Sequence, residues 1–108
     1  MIDWSKVNDL RREVGEEDFD EVVALFLSEV DETLTKLGKP GRSLEEDLHF
    51  LKGCALNLGF SEFSSLCSDR ERSCSNGQDT AVDPLDVQSC YETSKVAFFA
   101  EMDMKLAS

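Results

Sequence analysis

The stretch Leu44-Glu45-Glu46-Asp47-Leu48-His49-Phe50-Leu51-Lys52-Gly53-Cys54-Ala55-Leu56-Asn57-Leu58 decides how this chain is read. At about 100° per residue, Leu44, Leu48, Leu51, Ala55 and Leu58 gather on one side of a helix. That side must be the core. His49 falls about 140° from its centre, so it faces outward. Ser43, with Glu46 three residues later, is a capping-box signature that starts the helix. The helix runs to about Leu58 or Gly59.

The same periodicity continues on both sides, and strand signals are scarce. A first segment, about Asp3 to Val14, has Asp3 as N-cap and Trp4, Val7, Leu10 and Val14 on one stripe. Gly15 breaks it. A longer helix, about Glu17 to Leu37, shows an apolar face of Phe19, Val22, Val23, Phe26, Val30, Leu34 and Leu37. Gly38-Lys39-Pro40-Gly41 ends it. Beyond Gly59, Ser61 is the expected cap of a helix with Phe63, Leu66, Cys67, Arg70 and Cys74 on one stripe. Ser75 to Asp79 reads as a polar loop. Asp83-Pro84 is an N-cap and first-turn signal for a last helix carrying Val87, Tyr91, Ser94, Phe98 and Met102. Short connections between amphipathic helices predict an all-α fold. It is an antiparallel up-down four-helix bundle with a short extra N-terminal helix, and residues 1–108 form a single domain.

Composition narrows the function. The 108 residues carry 23 acidic and 11 basic side chains, a formal net charge of -12. Such a surface repels phosphate backbones and favours partners with a basic docking patch. No nucleic-acid partner is expected. The N-terminus lacks the apolar run of a signal peptide, and no window approaches the roughly 18 apolar residues of a membrane span. The expectation is a cytoplasmic protein with no membrane partner. The four cysteines, Cys54, Cys67, Cys74 and Cys90, match no zinc spacing. Cys54 and Cys67 lie at equal distances from the turn near Phe60 and Ser61, so a helical hairpin would bring them together. Packing as free core thiols is preferred there over a redox bridge.

A lone surface histidine is often incidental, so the weight falls on its neighbours. Lys52 at i+3 and Gly53 at i+4 project from the same helix surface as His49. Lys52 offers an ammonium to a bound phosphoryl group, or pairs with Glu45 or Asp47 as an ordinary surface lysine. Gly53 costs roughly 1 kcal/mol in mid-helix relative to alanine. It lies about 180° from the core stripe, so close packing does not explain it, whereas clearance beside the imidazole does. Leu56 and Phe60 fall near the His49 face if the helix stays regular. The alternative is that Phe60 turns inward at the helix end. Glu45, one turn before His49, joins Leu56 and Phe60 as a candidate partner contact.

His49-Phe50-Leu51-Lys52-Gly53-Cys54-Ala55-Leu56-Asn57-Leu58-Gly59-Phe60 resembles the signature of the histidine phosphotransfer (HPt) family. His49, Lys52, Gly53 and Gly59 occupy the places of its histidine, its Lys-Gly pair and its second glycine. The sharp motif covers about a dozen residues, while the helical organisation matches over nearly the whole chain. The resemblance implies a phosphorelay intermediate without ATP-dependent kinase activity of its own. A receiver-domain aspartate would pass its phosphoryl group to His49, and another receiver aspartate would take it. The partners implied are response-regulator receiver domains and a hybrid histidine kinase, and the implied state is a monomer. No cofactor is expected on this chain, because the receiver would bring the magnesium. The family often places a glutamine or similar acceptor beside the imidazole on the next helix. Counting along the hairpin puts Glu71 there. Glu71 would then accept from Nδ1 and leave Nε2 as nucleophile, with a reference pKa of about 6.5 keeping the imidazole neutral near pH 7.

Two rivals have less support. Phosphoacceptor modules of histidine kinases usually follow the histidine with an acidic residue, and here Phe50 follows it. A helical adaptor that docks receivers without carrying phosphate would have no use for the intact His49-Lys52-Gly53 set. No cysteine–histidine pair, metal set or glycine-rich loop points to another enzyme class.

Overall fold

The computed structural model describes residues 1–106, and they form five α-helices. These are α1 (Trp4–Val14), α2 (Glu16–Lys36), α3 (Leu44–Leu58), α4 (Ser61–Ser75) and α5 (Pro84–Leu106). No β-strand occurs among the described residues. Helices α2 to α5 make an antiparallel bundle, and α1 packs on α2 and α3 as the extra helix. A short 3-10 turn, Asp79–Ala81, begins at the last residue of the predicted loop.

Local chemistry sets each helix end. Asp3 Oδ1 accepts from the amides of Ser5 (3.1 Å) and Lys6 (3.3 Å), which starts α1. Ser43 Oγ accepts from Glu46 N at 3.2 Å, which starts α3. Asp83 Oδ1 accepts from Leu85 N at 2.9 Å, which starts α5. These side chains satisfy amides that a helix N-terminus cannot satisfy internally. Arg42 grips Asp47 through Nε (2.9 Å) and Nη2 (2.6 Å), fixing the loop before α3 to its first turn.

The α3–α4 turn departs from the sequence reading in two ways. Ser61 is the first residue of α4 rather than its cap, and Phe60 takes the cap position. Ser61 instead uses its Oγ (2.6 Å) and its amide (3.1 Å) to donate to the Met1 carbonyl. Phe60 is fully buried, with 0% of its surface exposed, so it belongs to the core and not to a docking surface. The physical reason is Gly59. It caps α3 in the left-handed region at φ 72°, and Phe60 N donates back to Ala55 O at 2.9 Å. That capping pattern ends the regular helix, so projection of Phe60 along α3 no longer holds. Its ring packs against Phe98 (5.4 Å between centroids) and Tyr91 (6.2 Å).

The core runs between the helices through Leu48, Leu51, Leu58, Phe63, Tyr91 and Phe98. Trp4 stacks on Phe98 at 5.6 Å, which ties α1 to the far end of α5. The N-terminal residues also clip the hairpin. Asp3 N donates to Gly59 O at 2.7 Å, and Ile2 pairs with Phe60 as an isolated bridge.

Gly59 and Gly53 should respond oppositely to alanine. A Cβ at Gly59 would lie 2.5 Å from the Asp3 carbonyl oxygen, on backbone that L-residues rarely adopt. Gly59→Ala should lower stability by about 1–3 kcal/mol in urea unfolding. A Cβ at Gly53 meets nothing within 4 Å. Gly53→Ala should raise stability by roughly 0.5–1 kcal/mol in the same measurement.

Candidate functional site

Helix α3 carries His49 on its outer side, with 69% of the side chain exposed. Its neighbour across the hairpin is Glu71 on α4. His49 Nδ1 lies 2.9 Å from Glu71 Oε2. The other carboxylate oxygen, Glu71 Oε1, lies 2.8 Å from Lys52 Nζ. One carboxylate therefore joins the imidazole and the ammonium.

The register of the hairpin makes this possible. The pairs His49–Glu71 and Glu45–Ser75 are both centred on Phe60. Ser75 Oγ donates to Glu45 Oε2 at 2.7 Å, one turn further from the joint. An antiparallel hairpin pairs residues in this way only while its turn keeps a fixed length.

Electrostatics follow from the geometry. The Lys52 ammonium holds Glu71 below the ordinary carboxylate range, against the opposing effect of burial, and His49 adds to the lowering. A carboxylate that stays ionised accepts from Nδ1–H and holds that tautomer. The lone pair is then on Nε2. Gly53, one turn along α3, leaves open space where any other residue would place a side chain.

The remaining candidates divide. Leu56 is half exposed on the His49 side of α3. Glu45 is exposed but engaged with Ser75, so it links helix ends. Phe60 is absent from this surface, as shown above. Lys52 pairs with Glu71, and neither Glu45 nor Asp47 holds it. Phe50 was missed. It is 41% exposed beside His49 and lines a groove with Glu29, Thr33, Lys36 and Arg42. The projection that placed His49 outward also puts Phe50 about 120° from the core stripe, so the signal was present.

Beneath the site, the thiols are free. Burial pushes Cys67 up to about 12 and Cys54 up to about 11. Both are protonated and unreactive near neutral pH. Among the described residues, no group of three or more His, Cys, Asp or Glu side chains could hold a metal ion. No described helix is long and apolar enough to cross a membrane.

The lowered Glu71 predicts a pH effect with a defined sign. Its folded-state pKa lies below its unfolded value, so the folded state is stabilised above the unfolded value of about 4.3. That contribution is lost as pH falls through the folded value. Glu71→Gln should therefore lose less stability than the wild type on acidification below about pH 4.3. Urea midpoints measured across that range check it, and parallel curves for the two proteins would contradict it.

Comparison with curated proteins and with solved structures found no match. The model of the Hpt domain family matches residues 21–102. That span holds α3 and α4 entire and most of α2 and α5, while α1 lies outside it. A helical bundle, an outward histidine on the central hairpin and a family match over most of the chain agree, and the chain belongs to the histidine phosphotransfer (Hpt) domain family, whose general role is phosphotransfer through a histidine in phosphorelays.

Proposed function

We propose that His49 is the phosphoryl carrier, accepting the group from the aspartyl phosphate of a response-regulator receiver domain and passing it to another receiver aspartate. The observation that carries this reading is the exposed imidazole of His49, held at Nδ1 by Glu71 at 2.9 Å. An exposed histidine with one nitrogen fixed offers the other as a nucleophile.

The chemistry balances on these residues. The Nε2 lone pair attacks phosphorus and forms an N–P bond. The P–O bond to the donor aspartate breaks, and its electron pair leaves with the carboxylate. The ring then bears both the Nδ1 proton and the phosphoryl group, and its positive charge faces Glu71. In the onward step an acceptor carboxylate attacks phosphorus, and His49 leaves as neutral imidazole. Keeping Nδ1 protonated makes His49 a good leaving group, so one arrangement serves both directions. Lys52 offsets negative charge beside the transferring group while it holds Glu71.

Clearance is the second requirement. A receiver must bring its aspartate to Nε2, and the bare backbone at Gly53 lets it approach. Exposed Leu56 and Phe50 supply apolar surface that a partner can desolvate. The acidic surface suits a receiver partner with a basic rim.

Incubation with candidate receivers and acetyl phosphate, read by mass spectrometry at neutral pH, tests the reading. Label is expected on His49 in the wild type and should be absent in His49→Gln, with helical content unchanged. Label persisting in His49→Gln would sink the proposal. Gly53→Leu should slow transfer at least tenfold without loss of fold, as expected for a steric block at a reacting centre. Transfer at the wild-type rate would remove Gly53 from the mechanism.

A further inference from the structure

Lys52 is the one lysine placed beside His49, yet its ammonium is engaged with Glu71 at 2.8 Å. A phosphoryl group on His49 adds roughly two negative charges to that of Glu71. Glu45 stands one turn away on α3. A single lysine shared with Glu71 leaves this cluster strongly negative.

A second cation shares a groove with Lys52, on the residue next to Glu71. Arg72 directly follows Glu71 on α4, and its side chain lines a groove with Lys52, Leu56, Ser68 and Asp69. It is loosely held. Its side chain is 70% exposed, and the Asp69 Oδ1 it faces is 3.8 Å away. Asp69 is already engaged by Arg70, whose Nη1 lies 2.6 Å from Oδ2. Exposed pairs at such a distance contribute little, so Arg72 can change partner at small cost.

The structure assigns Arg72 as the second cation of the phosphorylated state: it turns from Asp69 toward the phosphoryl oxygens carried by His49. This rests on His49 being the carrier. The charged groups around that phosphoryl group are Glu45, Glu46 and Lys52 from α3, and Asp69, Glu71 and Arg72 from α4. Lys52 serves Glu71 in the resting state, and Arg72 answers the charge that arrives.

Phosphoramidate, a small donor that needs no partner protein, allows a direct test on the full chain. His49 Nε2 attacks its phosphorus, the bond from phosphorus to nitrogen breaks, and ammonia leaves. The 31P resonance of the product is then titrated through the last ionisation of the phosphoryl group. Wild type, Arg72→Gln and Arg72→Lys are compared at low salt and at about 1 M salt, where the Debye length is roughly 3 Å. Arg72→Gln should lower the phosphoryl ionisation constant about two- to threefold at low salt, the effect of one charge at about 6 Å in water-like surroundings. Arg72→Lys should restore it, and high salt should erase the difference. Coincident titrations of wild type and Arg72→Gln at low salt would overturn the assignment while leaving His49 as the carrier. A difference that salt does not erase and lysine does not restore would overturn it too, because it would mark a structural disturbance. A wild-type chain that takes no label on His49 would overturn the underlying reading and this inference with it.

Discussion

Glu71 reaches from α4 to two groups on α3, and neither contact survives unless the two helices stay in register. Register in a helical hairpin is set at its joint. Here the joint is Gly59 and Phe60. A residue added or lost there would rotate Glu71 by about 100° relative to α3 and take it away from His49. The molecule holds this joint from three sides. Gly59 adopts the left-handed cap, Phe60 is clamped between Tyr91 and Phe98, and the residues before α1 hydrogen-bond to Gly59 and Ser61. Helix α1 lies outside the family match, yet the residues leading into it brace the turn that positions the site.

The surface around His49 is not optimised for stability. Gly53 weakens α3 where alanine would fit without a clash. Phe50 and Leu56 leave apolar surface in water on the same helix. Core packing explains neither feature, because all three positions lie off the stripe that Leu48, Leu51 and Leu58 bury. Each becomes intelligible when a second protein must reach an imidazole nitrogen. The buried thiols show the opposite treatment: Cys67 lies near Glu71 and Lys52, and Cys54 lies on the other flank of α3, yet burial keeps both protonated.

Much of this arrangement was legible in the sequence, because helical projection needs only a regular helix. It placed His49 outward, Gly53 in open space and the core stripe inward. The family resemblance called for an acceptor on the next helix, and counting along the hairpin put Glu71 at that place, where α4 does bring it to His49. The same projection failed at Phe60, where Gly59 ends the regular geometry on which it depends. Ser61 was misread for a related reason. A serine beside a helix start is ordinarily a cap, but here its hydroxyl serves the Met1 carbonyl, a contact spanning 60 residues that no local pattern announces. Lys52 was assigned by proximity within α3, and its partner lies across the hairpin. Local rules describe elements well, and they say little about which side chain an element's neighbour will supply.

The shared carboxylate also sharpens what lysine does in this motif. Had Lys52 pointed freely at His49, it would act directly on a group bound there. Bound to Glu71, it acts first on the carboxylate and keeps it ionised. An ionised Glu71 then accepts from Nδ1–H, the tautomer that the proposed carrier role calls for. The acidic residue is the element that joins an ammonium and an imidazole on one turn of helix.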